Sequence, residues 1–139
     1  MPSPPFELLG IDHVVLRVSD LDRMLSFYRD VLGCTEERVQ AELGLFQLRA
    51  GASLIDLVTI DGPLGAAGGA APGKEGRNVD HVALALDRFD EPLIRAHLSA
   101  HGVSVTESGL RYGAGGQGPS VYFRDPEGNV IELKGPAVA

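Results

Sequence analysis

This sequence of 139 residues predicts an α+β fold. Two repeated β-α-β-β-β modules would form a curved mixed sheet around a cleft, with their helices on the outer face. Three observations carry that prediction. The stretch Ile11-Asp12-His13-Val14-Val15-Leu16-Arg17-Val18 returns as Val79-Asp80-His81-Val82-Ala83-Leu84-Ala85-Leu86. The offset of 68 between His13 and His81 is kept by Asp12/Asp80, Val14/Val82, Leu16/Leu84, Asp22/Asp90 and Leu25/Leu93. Later the offset grows to 76, where Leu54-Ile55-Asp56-Leu57 meets Val130-Ile131-Glu132-Leu133 and a carboxylate again matches a carboxylate. A repeat that preserves residue type at both ends of each unit implies one supersecondary unit used twice.

The first module is expected over residues 9–60. Strand one, Leu9 to Val18, alternates a histidine face with the row Val14/Leu16/Val18. Ser19 reads as a helix N-cap, with Asp20 and Asp22 in the first turn. Apolar residues at Leu21, Met24, Leu25, Tyr28, Val31 and Leu32 then mark one helical stripe. Gly33 stops it where a left-handed residue is usual. Strands follow at 35–40, 43–49 and 53–60.

Residues 61–78 are rich in glycine and proline. They read as a linker, or more sharply as a lid whose contacts would be Lys74 and Arg77. The second module, 79–135, places Asp90 as the cap of a helix ended by Gly102. Strands are expected at 103–108, 120–124 and 129–134, the last two joined by the turn Asp125-Pro126-Glu127-Gly128. Arg111, Tyr112 and the run 113–118 read as a flexible loop.

Composition narrows the function. A 44% hydrophobic chain of this length suits a single domain, 1–139, built of both modules. The formal charge of −7 argues against nucleic acid or an anionic membrane as partner. No apolar run reaches the ~20 residues of a membrane span. The lead-in Met1–Pro5 lacks the basic and apolar regions of a signal peptide. The single cysteine, Cys34, allows no internal disulfide. A cytoplasmic, reducing location is the expectation.

Parity then places the chemistry. Ile55/Leu57 and Ile131/Leu133 share the aliphatic faces, so Asp56 and Glu132 lie opposite, on the side of His13 and His81. If the modules pair about a pseudo-twofold axis, these four side chains converge. Two imidazoles and two carboxylates suit one divalent transition metal, Fe, Mn, Co, Ni or Zn. With no thiolate, a structural zinc site is not expected. A histidine or an acid on a strand is ordinarily a solvated side chain; the repeat raises these four above that background. His97 and His101 have no acidic partner nearby and are expected along a helix surface. Tyr122 and Arg124 share one face of the penultimate strand, and Arg17 shares the face of His13.

The doubled β-α-β-β-β order, both Asp-His-Val starts, Phe27-Tyr28-Arg29-Asp30-Val31-Leu32-Gly33 and Asp125-Pro126-Glu127-Gly128-Asn129-Val130-Ile131-Glu132-Leu133 resemble the vicinal oxygen chelate superfamily. That group takes in glyoxalase I, fosfomycin-resistance thiol transferases, methylmalonyl-CoA epimerase, extradiol dioxygenases and metal-free bleomycin-binding proteins. The resemblance implies metal ligation by His13, His81 and Glu132, with Asp56 at the remaining position, usually Glu or Gln. Aspartate is one methylene shorter and departs from the pattern. The resemblance further implies a homodimer acting on a small-molecule substrate. Arg17, Tyr122 and Arg124 would be substrate contacts, and Glu132 or Asp56 the catalytic base. The expected activity is a metal-dependent glyoxalase-like lyase or isomerase. An extradiol-type Fe(II) dioxygenase, a fosfomycin-type thiol transferase and a metal-free drug-binding protein are the alternatives. Whether the site forms within one chain or across two stays open.

Overall fold

A computed structural model describes residues 3–138. Met1 and Pro2, where the proline-rich lead-in begins, and Ala139 lie outside the described residues.

The first module holds strands β1 (His13–Val18), β2 (Thr35–Gln40), β3 (Leu45–Ala50) and β4 (Ser53–Thr59), in sheet order β1-β4-β3-β2. The second holds β5 (Val82–Ala85), β6 (Glu107–Gly113), β7 (Gly116–Arg124) and β8 (Val130–Lys134), in the equivalent order β5-β8-β7-β6. The first strand of each module pairs in parallel with the last; the other pairings are antiparallel. Both sheets are thus mixed and open, as the repeat predicts. Parallel pairing of first with last strand lays the histidine strand directly beside the acid strand in each module.

Four expectations at the elements need correction. Asp20, not Ser19, caps the first helix: its carboxylate accepts from Arg23 N, and α1 runs Leu21–Ser26. The chain then continues as a π-helical turn, Phe27–Val31, before Gly33 at φ 75° ends it. Widening this last turn still buries Phe27, Tyr28 and Val31, so the apolar stripe is served by a geometry that its 3.6-residue spacing does not show. Strand one is also shorter than expected, because residues 9–12 lie outside it.

The fourth correction concerns 111–118, which form no loose loop. They are the arms of a hairpin, Arg111 facing Gly118 and Gly113 facing Gly116 around a two-residue turn. Glycine-rich strands look like loops because they lack the side chains that signal a strand. In the linker a short helix, α2 (Pro63–Ala66), begins with proline in its first turn. Asp90 caps α3 (Glu91–Ala100) as expected, accepting from Leu93 N.

One core unites the modules. Leu16, Ile55 and Leu57 of the first sheet, Val121, Phe123 and Ile131 of the second, and Met24, Tyr28 and Leu98 of the helices are all buried within it. Polar clamps reinforce the junction. The Tyr28 hydroxyl donates to Asp125 Oδ2 at 2.7 Å, while Asp125 also accepts from the backbone N–H groups of Glu127 and Asn129. Asn78 holds the edge of β1, accepting from Arg17 N and donating to Arg17 O and to Asn129 Oδ1. Among the described residues no helix is long and apolar enough to cross a membrane.

Candidate metal centre

The four expected ligands form two imidazole–carboxylate pairs. In the second module His81 Nε2 lies 3.1 Å from Glu132 Oε1. In the first, His13 Nε2 lies 3.9 Å from Asp56 Oδ2. Both acids are buried and both histidines are partly open to solvent. The two histidines line one cavity of about 400 Å³, with Val14, Leu54 and Val82 among its apolar walls. Among the described residues, however, no three of His, Cys, Asp and Glu come close enough together to hold a metal ion. Within the described residues of one chain the four side chains thus stand as two pairs.

Each histidine is fixed by the residue before it. Asp12 Oδ1 is 2.7 Å from His13 Nδ1, and Asp80 Oδ1 is 2.8 Å from His81 Nδ1. A carboxylate on Nδ1 holds the proton there and turns the Nε2 lone pair outward, the usual orientation of a metal-bound imidazole. These interactions shift proton affinities. The Asp12 hydrogen bond, then the Asp56 charge, raise His13 above its ordinary 6.5. The His81 hydrogen bond, helped by Arg77, lowers Asp80. In the sequence Asp12 and Asp80 stand out only as markers of the repeat. Their recurrence beside both histidines was the signal for this role.

Each half supplies one nitrogen and one carboxylate, half of the donor set that suits a single divalent cation. At 3.1 Å the His81 Nε2 and the Glu132 carboxylate oxygen are held together by a proton on the ring or by a cation shared between them. Ser120 donates to Glu132 Oε2 at 2.6 Å, leaving Oε1 as the oxygen turned to His81. In the first half Gln47 Nε2 donates to Asp56 Oδ2 at 3.1 Å, whereas the buried Asp56 Oδ1 has no hydrogen-bond partner. A buried carboxylate oxygen left unsatisfied costs free energy that a proton, a metal or a substrate donor would recover.

The expected substrate contacts separate. Tyr122 flanks His81, the two rings 5.8 Å apart edge to face, and stands opposite Glu132 in the sheet register. Burial, followed by the Glu132 carboxylate, raises its phenol. The Arg111 guanidinium lies 5.5 Å from the Tyr122 ring centre, so the supposed loop residue is a wall of this half-site. Arg124 lies at the exposed end of the same strand. Arg17 is engaged elsewhere: its guanidinium donates to the carbonyls of Gly65, Gly68, Gly69 and Ala70, clamping the turn after α2. A Cβ on Gly68 would come within 2.5 Å of that guanidinium, so glycine permits the clamp. His97 turns its Nε2 to Val31 O at 2.8 Å and its ring to His101.

Residues 10–133 match the Glyoxalase/Bleomycin resistance protein/Dioxygenase superfamily, and the chain belongs to it. Virulence protein STM3117 of Salmonella typhimurium is 31% identical over 125 residues, covering 88% of this chain and 81% of that one. Integron cassette protein VCH_CASS1 of V. cholerae has a solved structure with TM-score 0.71 at 29% identity, over 94% of this chain and 97% of its own. The fold alone is shared with two others. Fosfomycin resistance protein FosX of Mesorhizobium loti matches at TM-score 0.66 and 18% identity, over 95% and 96% of the chains. Lactoylglutathione lyase of Agrobacterium tumefaciens matches at TM-score 0.63 and 24% identity, over 96% of each.

Proposed function

We propose that this protein is a divalent-metal-dependent, glyoxalase-like lyase or isomerase that captures two neighbouring oxygens of a small molecule. The observation that carries the reading is the doubled relay of aspartate, histidine and buried carboxylate. Asp12–His13–Asp56 and Asp80–His81–Glu132 each present a fixed Nε2 toward an acid. His13, Asp56, His81 and Glu132 are the proposed ligands, completed between two copies of the chain. Two features favour a homodimer. The pairs stay apart in one chain, and the segment before β1 exposes Phe6, Leu8, Leu9 and Ile11, with Leu9 fully open to solvent. A reducing, cytoplasmic setting remains our assignment for its lone buried thiol, Cys34.

A bound metal would act as a Lewis acid on the substrate oxygens. The chain itself supplies orientation and a base. Asp12 and Asp80 hold the imidazole tautomers. Ser120 fixes one oxygen of Glu132 and leaves the other free. Asp56, whose Oδ1 is buried and unpartnered, would take a proton α to a substrate carbonyl, with Glu132 as the second candidate base. Tyr122 walls the Glu132 half-site, its ring edge to face with His81.

A second reading draws on the first-module gap. Asp56, held by Gln47 and 3.9 Å from His13, leaves His13, His81 and Glu132 as a three-ligand set. That set resembles those of extradiol dioxygenases and fosfomycin-type thiol transferases.

Elemental mass spectrometry of the untagged protein, beside His13→Ala and Glu132→Ala, tests both. About one equivalent of a transition metal in the parent and none in either variant is the expected result. Iron with air-sensitive activity would move the assignment to the dioxygenase. A parent that takes up no ion after reconstitution would leave a metal-free binding protein.

A further inference from the structure

The residues between the modules build a second cavity, of about 590 Å³, which the metal reading does not use. Lys74 and Arg77 from the linker and Arg124 from the end of β7 line it, with Glu127 and Asn129 at the turn before β8. Three cations on one cavity stand out in a chain of net charge −7. The acid among them is already occupied: the Glu127 carboxylate accepts from Ser19 N and Asp20 N at 2.7–3.0 Å. Among the described residues neither Lys74 nor Arg124 makes an ion pair, and Arg124 makes only a long 3.4 Å contact to Gly128 O. An ordinary solvated rim would disperse such charges or pair them with acids. Here they are gathered, with Lys74 and Arg124 left open and Arg77 paired only at the rim with Asp80.

The cavity is joined to the second half-site. Arg77 Nη2 lies 3.3 Å from Asp80 Oδ2, and the other oxygen of Asp80 holds His81. Arg124 shares its strand face with Tyr122, which stands opposite Glu132. Arg77, through Asp80, and Arg124, through the strand it shares with Tyr122, thereby tie the cavity to the residues around His81 and Glu132.

We infer that this cavity seats an anionic group of the substrate, a carboxylate or a phosphorus oxyanion, bound by Lys74, Arg77 and Arg124. The inference rests on the metal reading only for what lies at the substrate's other end. Two arginines offer forked N–H donors to a planar or tetrahedral oxyanion, and the lysine adds a point charge. The linker thereby becomes a specificity element, because it delivers two of the three cations.

Calorimetric titration of the full chain with inorganic phosphate, and separately with acetate, in 0.15 M sodium chloride tests this. One of the two anions is expected to bind, and the preferred one distinguishes phosphorus oxyanion from carboxylate. Lys74→Ala and Arg124→Ala should each weaken binding by about tenfold. Arg124→Lys should retain most of it, and Arg38→Ala, a basic residue outside the cavity, should leave it unchanged. Both cavity side chains are exposed, so unchanged melting temperatures check that the variants fold. Failure of both anions to bind overturns the inference. So does equal weakening by Arg38→Ala, which would mean an adventitious ion only. Metal content read on the same samples separates the two proposals. Anion binding without metal leaves this inference standing and removes the preceding one; metal without anion binding does the reverse.

Discussion

The two half-sites share a backbone frame and differ in how tightly their side chains close. In both, a histidine at the start of the first strand (His13 within β1, His81 just before β5) stands beside an acid on the last, through equivalent parallel pairings of β1 with β4 and β5 with β8. In the second module glutamate brings the gap to 3.1 Å, Ser120 fixes its other oxygen, and Tyr122 and Arg111 wall it in. In the first, aspartate leaves 3.9 Å, Gln47 takes one oxygen and the other has no partner. Duplication supplied equal frames; one methylene and the residues on the neighbouring strand made them unequal. The tight half suits a permanent ligand pair, and the loose half suits a group that exchanges a proton.

The strongest way to break this comparison is to remove each acid. Glu132→Gln should lower metal affinity more than about 100-fold, exceeding the 10–100-fold typical of residues that only orient ligands. Asp56→Asn should cost less metal but more turnover, read by metal titration beside steady-state rates. Equal losses in metal binding would end the asymmetry and restore a four-ligand site of equal partners.

Next in size come the orienting aspartates. Asp12→Asn and Asp80→Asn should each weaken metal binding by about 10–100-fold without changing the metal-to-protein ratio at saturation. An unchanged dissociation constant in both would reduce them to solvated neighbours of the histidines.

Tyr28→Phe probes the junction that carries both frames. It removes the buried hydroxyl donor to Asp125, whose own proton affinity burial has already raised. The expected loss is about 1–3 kcal/mol in urea unfolding, because a buried carboxylate oxygen loses a partner. Metal stoichiometry should be unchanged.

The smallest effect is a pH dependence of the metal-free chain. The raised pKa of His13 means that the folded state favours its protonated form. That contribution to stability is fully present below 6.5 and disappears as pH rises through the raised folded value. An NMR titration should place the His13 midpoint above 6.5 and move it back toward 6.5 in Asp12→Asn. A midpoint insensitive to that substitution would assign the shift to Asp56 instead.

Much of this arrangement was legible in the chain. Alternation on His13–Val18 and on Ser53–Thr59 gave the histidine and acid faces, because strand parity is a local property. The offsets of 68 and 76 exposed the duplication, because a repeated unit carries its own pattern wherever it sits. The π-helical turn at Phe27–Val31 was not legible, since apolar spacing on one face tolerates more than one helical pitch. The 111–118 hairpin was missed because glycine weakens strand signals.

By itself, then, the sequence determined the order of elements, the side of each strand that carries chemistry and the residue types placed there. All of these follow from short-range backbone geometry and from residues close along the chain. Tertiary structure alone decided which donors meet. Ser120 found Glu132 and Gln47 found Asp56 by lying across a sheet from them, Arg17 came to clamp the 65–70 turn, and Lys74 and Arg77 came to rest on one cavity with Arg124. Such partners are chosen by packing between distant segments, and no spacing rule along the chain encodes that choice.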